Sequence, residues 1–196
     1  MALNSYAALQ TAIGTHLVRT DMAAIAPDLI ALAEADMGDK LRVSEMEART
    51  ALTLDAEYVD LPADWLQTIR LTYNGASHRI LDLANPREAD QWVAVPGEPR
   101  IYSVEGLQLR FFPTPSSGTA DLQYYQRIPA LSDSNTTNWL LVRAPDAYLY
   151  GALVHSAPYL QEDARIATWG QLYDRAIDRL QRASDRARAA TGARRR

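Results

Sequence analysis

Trp169-Gly170-Gln171-Leu172-Tyr173-Asp174-Arg175-Ala176-Ile177-Asp178-Arg179-Leu180-Gln181-Arg182-Ala183 decides the fold class. Trp169, Leu172, Tyr173, Ala176, Ile177, Leu180 and Ala183 recur at i, i+3, i+4 and i+7, the signature of one apolar helix face. On the other side Asp178 and Arg182 stand at i, i+4, where opposite charges meet on a helix. Arg175, Arg179, Arg182 and Arg186 form a second stripe at spacings of 4, 3 and 4. The apolar stripe fades after Ala187. Thr191-Gly192 then precedes Arg194-Arg195-Arg196, which have no core to join and are expected to be mobile when unbound.

Moving toward the N-terminus, Pro145 and Asp146 open another helix. Its face carries Leu149, Ala152, Leu153, Ser156, Ala157 and Leu160, Gly151 allows close approach of a partner helix, and Pro158 should kink or end it. Ser132 to Asn138 reads as a polar loop. Before that loop the period shortens. Strands are expected at Thr68–Tyr73, His78–Leu81, Arg100–Val104, Leu107–Phe112 and Ala120–Ile128, with Thr50, Leu52, Leu54 and Tyr58 also extended. Asn74-Gly75 and Glu105-Gly106 fall where tight hairpin turns belong. Asn85 and Pro86 predict a short helix over Pro86–Trp92. At the beginning of the chain, Asn4 or Ser5 caps a helix with Tyr6, Leu9, Ile13 and Leu17 on one side. A second helix starts near Asp21 or Pro27, and Gly38 ends or interrupts it.

Helices at both ends and strands between them predict an α+β protein. The N- and C-terminal segments, 1–48 and 144–190, form a helical bundle. An inserted small antiparallel β-sandwich or barrel occupies 49–143, and 191–196 is a basic tail.

Composition narrows the function. The chain has 196 residues, 47% of them hydrophobic and 22% charged, as an ordinary globular protein does. With no cysteine it has no disulfide framework, no thiolate metal site and no cysteine nucleophile. The first residues lack a basic segment followed by an apolar one, so no signal peptide is expected, and no apolar window suits a membrane helix. From Tyr173 onward eight arginines face three aspartates, a balance of +5. The net charge of -4 therefore leaves -9 on the first 172 residues. Lys40 is the only lysine.

A search for chemistry finds none that assembles. His16, His78 and His155 have no helical spacing to one another, Glu45/Glu47 and Asp36/Asp39 read as solvated pairs, and no phosphate-binding glycine loop or nucleophile elbow occurs. No catalytic residue, metal or cofactor is expected, and the chain is not expected to be an enzyme. The arginine stripe is the outstanding charged feature. It suits an acidic protein groove or nucleic acid, and the acidic body, which would repel phosphates, favours protein. A small nucleic-acid-binding module that uses the C-terminal arginine helix is the alternative.

One run of motifs has a familiar order: Leu61-Pro62-Ala63-Asp64-Trp65-Leu66, Gly106-Leu107-Gln108-Leu109, the Pro113/Pro115 loop, Leu122-Gln123-Tyr124-Tyr125, Leu131-Ser132-Asp133, Asn138-Trp139-Leu140-Leu141, Pro145 to Leu153, and Trp169 with Tyr173. From about Leu61 to Leu180 the chain resembles the head-to-tail adaptor, or connector, proteins of tailed bacteriophages. The resemblance implies a structural virion protein at the portal vertex, made in the host cytoplasm. Copies of it, commonly twelve, would form a ring between the portal protein and tail or nozzle proteins, with packaged DNA passing through the lumen without specific binding. It further implies portal docking by the C-terminal segment, for which Arg182, Arg186, Arg188, Arg194, Arg195 and Arg196 are the candidates. Tyr148, Leu149, Leu153, Trp169 and Tyr173 are the candidates for packing between subunits.

Overall fold

A computed structural model of the chain describes residues 3–18, 24–85, 87, 96–160 and 164–193. They divide into two units. Residues 1–45 and 128–196 belong to one, which is helical, and residues 46–127 belong to the other, which is built of strands. The helix expected over Pro86–Trp92 lies almost wholly outside the described residues.

The helical unit begins with α1 (Tyr6–Leu17), where the Ser5 side chain accepts a hydrogen bond from the Ala8 N–H at 3.3 Å. α2 (Ala26–Lys40) has Pro27 in its first turn and runs through Gly38 without a break. After the strands come α3 (Trp139–Arg143), α4 (Pro145–His155) and α5 (Arg165–Ala193). α4 ends three residues before Pro158, and Ala157–Tyr159 continue as a single 3-10 turn. α4 is the hub: α1, α2, α3 and α5 all pack on it. Its apolar residues go nearly all round, with Ala147, Tyr148, Leu149, Gly151, Ala152 and Leu153 buried, as a central helix requires. Gly151 is the closest approach. A Cβ there would stand 3.2 Å from Ala33 Cβ of α2 and 3.1 Å from the Tyr173 ring of α5. Gly151→Val, which adds branched bulk between two helices, is expected to cost about 1–3 kcal/mol. Urea denaturation followed by circular dichroism measures this, and an unchanged midpoint would contradict it.

The strand unit comprises β1 (Glu47–Thr53), β2 (Tyr58–Asp60), β3 (Trp65–Asn74), β4 (His78–Leu83), β5 (Ile101–Glu105), β6 (Gln108–Phe112) and β7 (Thr119–Gln126). They form one sheet in the order β1-β7-β3-β4-β5-β6-β2. It curls into a half-barrel, the more barrel-like of the two expected forms. The sheet is mixed where a purely antiparallel one was expected. β4 and β5 run parallel, joined through residues 84–100, long enough for the crossover such a pair needs. Two strands beyond the five main candidates, β1 and β2, complete it, and they carry the Thr50, Leu52 and Tyr58 positions that read as extended. Alternation decides which side is inside. On β7, Ala120, Leu122 and Tyr124 are buried and Asp121, Gln123 and Tyr125 face outward. Leu122 registers with Leu71 of β3, which registers with Leu81 of β4, and Phe111 and Leu109 of β6 join them in one core.

Both expected hairpins form, but only the second is a two-residue turn, since Asn74 pairs with His78 across the three residues Gly75–Ser77. Glu105 pairs with Gln108 across Gly106-Leu107, with Gly106 at a φ of +66°. The Leu61–Trp65 corner is tied to β7. The Tyr124 hydroxyl donates to Asp64 at 3.0 Å, the Arg127 N–H donates to the Asp64 carbonyl at 2.7 Å, and the Trp65 indole N–H reaches Thr68 Oγ1 at 3.1 Å. Burial, with the Asp64 carboxylate beside it, pushes the Tyr124 hydroxyl up to about 12.

One boundary differs from expectation. Residues 128–143 pack with the helices rather than with the strands. The polar stretch before α3 is the reason. The Asn138 side chain accepts from Leu141 N–H at 2.8 Å as a helix cap and donates to the Pro129 carbonyl at 2.7 Å and to the Tyr148 hydroxyl at 2.6 Å. Its polarity serves α3 and α4, not solvent. The basic tail also differs, because α5 continues to Ala193 and takes in Thr191 and Gly192. Alanine and arginine are both strong helix formers, so the helix outlasts its apolar stripe.

Candidate assembly interface

The five residues expected to pack between subunits are Tyr148 and Leu153, fully buried, with Leu149, Trp169 and Tyr173 at 6%, 6% and 3% exposure. Their surfaces lie in the core of their own protomer. Tyr148 is also the centre of a polar network. Its hydroxyl donates to Glu34 Oε1 of α2 at 2.9 Å and accepts from Asn138, while the Leu131 N–H donates to the same Glu34 oxygen at 2.9 Å. One glutamate thus ties the entry segment of α3 to α2 and α4. Tyr173 makes a parallel connection from α5, its hydroxyl donating to Asp36 Oδ2 at 2.6 Å, where Lys40 also binds at 2.8 Å.

The two carboxylates respond oppositely to burial. For Asp36, burial acts to raise the pKa, but hydrogen bonds from Lys40 and Tyr173 outweigh it and hold the group below the ordinary value. For Glu34, burial wins over the hydrogen bonds from Leu131 and Tyr148 and the pKa is raised above its ordinary 4.5. A carboxyl that is harder to ionise in the fold favours folding while protonated. Its contribution is present below the unfolded value and lost as pH rises through the folded one. Glu34→Gln keeps an acceptor and cannot ionise. It is expected to melt no lower than the parent at pH 7, with its advantage shrinking as pH falls from Glu34's raised value in the fold toward its ordinary one, and constant below that. Thermal melts across that range test this, and a glutamine variant clearly less stable at pH 7 would refute it.

The arginine stripe is where the spacing placed it. Arg175, Arg179, Arg182 and Arg186 are all exposed along α5. Arg179 spans to α4, with both Asp146 carboxylate oxygens at 2.8 Å, and Arg182 meets Asp178 at 3.2 Å within the helix. Arg188 turns back instead, to the Arg42 carbonyl at 3.4 Å. Beside it the Gln181 amide donates to that carbonyl at 3.3 Å, and the Ser44 N–H meets Ser184 Oγ at 2.9 Å. Arg194, Arg195 and Arg196 lie outside the described residues.

Sequence reading missed one cluster. Arg49, Arg70, Thr72, His78, Arg79, Asp121 and Gln123, from β1, β3, β4 and β7, line an open cavity of about 540 Å³. Arg49 and Arg70 both register with Gln123, from strands on either side of it. Only pairing could have revealed this, since the three residues are far apart in the chain. Arg79 is already held by Glu98 at 3.2 Å, and Arg70 donates to Gln123 at 3.3 Å. His78 shares this lining with the three arginines. Among the described residues no group of histidines and carboxylates could hold a metal. Glu45 is paired with Arg143, and Asp36 with Lys40. No described helix is long and apolar enough to cross a membrane.

No curated protein matches this chain. The family described as SU10 adaptor protein matches residues 4–196, which takes in both terminal helical segments as well as the half-barrel. The match spans residues of both units, and the chain belongs to the SU10 adaptor protein family, a family of structural phage adaptors.

Proposed function

We propose that this protein forms a ring at the head–tail junction, docked on the portal and continued by tail or nozzle proteins, with DNA passing through its lumen. The observation that carries the reading is the family match across residues 4–196, which joins the earlier motif resemblance to the N-terminal helices as well. Charge supports it. A body of about -9 would let a phosphate backbone slide past without adhering. Twelve copies is the stoichiometry that the resemblance implies. In such a ring Tyr148, Leu149, Leu153, Trp169 and Tyr173, being buried in the protomer, fix the positions of α4 and α5 so that exposed neighbours make the contacts.

The C-terminal end of α5 is the portal-docking element on this reading, together with Arg194, Arg195 and Arg196, which follow it in the sequence. Arginine suits the task because its planar fork binds carboxylates in bidentate fashion. The stripe on α5 fits a protein partner better than nucleic acid, because Arg179 and Arg182 already face aspartates. Electron microscopy of the protein mixed with the portal from its own genome tests the proposal. A ring stacked on the portal is the expected result, and portals that stay bare would overturn it. Deleting Thr191–Arg196 is expected to weaken docking at least about tenfold, the loss of roughly 1.4 kcal/mol of binding. Undiminished docking would remove the tail from the interface.

A further inference from the structure

Two exposed stripes on the helical unit share a spacing. On α5 it is Arg175, Arg179, Arg182 and Arg186, and on α2 it is Asp28, Leu32, Ala35 and Asp39, all exposed. Both run 4, 3, 4, so each keeps to an arc of about 60° along its helix. Each also spans eleven residues, roughly 16 Å, so the outer charges of one stripe stand as far apart as those of the other. The charges are opposite. Between the aspartates lies Leu32, 49% exposed, beside Ala35. Between the outer arginines lie Arg179 and Arg182, whose aliphatic stems can cover such a surface while their heads stay hydrated.

Position within the unit gives the complementarity a direction. α2 and α5 both pack on α4. The buried residues of α2, Leu29, Ile30, Ala33 and Met37, lie on the side opposite its stripe, and Tyr173, Ile177 and Leu180 do the same for α5. The outer charges of both stripes, Asp28 and Asp39 on α2 and Arg175 and Arg186 on α5, therefore lie away from the buried faces, while Arg179 reaches along α5 to Asp146 of α4. Among the described residues no ion pair joins the two stripes within one protomer, whereas each can meet the other on a second copy.

We infer that the α5 arginine stripe of one copy docks on the α2 Asp28–Leu32–Ala35–Asp39 stripe of the next. This rests on the proposed ring and names its subunit contact. The pairing joins two different surfaces, so it is heterologous, the type of contact that closes into a ring. It assigns Arg182 and Arg186 to the neighbouring copy and leaves portal docking to the residues beyond them. Asp174, Asp178 and Asp185 run along one side of the arginine stripe only, so an acidic helix is steered to the other side.

The chain has no cysteine, so introduced ones report contacts cleanly. The variant carrying Leu32→Cys and Arg179→Cys, assembled on portal and oxidised, is expected to give a ladder of cross-linked oligomers, with the two single-cysteine variants staying monomeric or stopping at dimers. Charge exchange supplies the second arm. Asp28→Arg with Asp39→Arg, and separately Arg175→Asp with Arg186→Asp, are each expected to lower ring occupancy on portal at least tenfold with unchanged circular dichroism. All four together restore opposite charges across the contact and are expected to recover assembly. Wild-type rings with no ladder, or charge variants that assemble like wild type, overturn this contact and leave the ring reading standing. Wild-type protein that forms no ring on portal overturns both. Failure of the fourfold variant to recover also counts against the contact.

Discussion

Replacing Tyr148 with alanine is expected to destabilise the helical unit by about 3–5 kcal/mol from lost burial and the cavity alone. Tyr148 has no exposed surface and leads the fully buried side chains by volume. It also leaves Glu34 and Asn138 without the hydroxyl that both of them bond, and an unsatisfied buried partner adds about 1–3 kcal/mol. Burial, with the charge of Glu34 beside it, drives the Tyr148 hydroxyl far above the ordinary phenol range, so it remains a donor at every working pH. Tyr148→Phe separates the two contributions, since it retains the ring and removes only the hydroxyl. Urea midpoints at constant slope measure both variants. A loss under about 1 kcal/mol for the alanine variant would show that α4 is not the hub of its unit.

What the sequence revealed and what it hid follow from the range of the interactions. α5 was legible because its period is local: Trp169, Tyr173, Ala176, Ile177 and Leu180 recur on one face and are buried on one face. Asn138 was not legible, although it was seen. A polar residue in a polar stretch reads as loop, and only the approach of Tyr148 and Pro129 makes it an internal tie. The strands were found by alternation, but their order was not. β1 pairs with β7 across most of the unit's length, a choice that no local pattern encodes. The arginine spacing on α5 was evident from the beginning. Its counterpart on α2 was not, because Asp28, Leu32, Ala35 and Asp39 acquire meaning only once Leu29, Ile30, Ala33 and Met37 are known to occupy the opposite side. The cavity that gathers Arg49, Arg70 and Arg79 likewise depends on register.

In the half-barrel, the corresponding expectation is a loss of about 3–5 kcal/mol for Phe111→Ala. Phe111 is fully buried, sits among Leu109, Tyr102, Leu71 and Leu81 in the core, and registers opposite Tyr102. A curled sheet of seven strands has one interior, so a cavity there is shared by the entire unit and has little freedom to collapse. Domain stabilities of about 5–15 kcal/mol make this a large fraction of the total. Ile80→Ala on the outward face of β4 provides the contrast. Ile80 is 59% exposed, and the change is expected to stay within about 0.5 kcal/mol. Amide hydrogen exchange gives a readout confined to the strands: protection on β3 and β7 should fall in the Phe111 variant and hold in the Ile80 variant. Equal effects of the two would mean that the interior of the half-barrel carries no more of its stability than its outer surface does, and the single-core description would have to be abandoned.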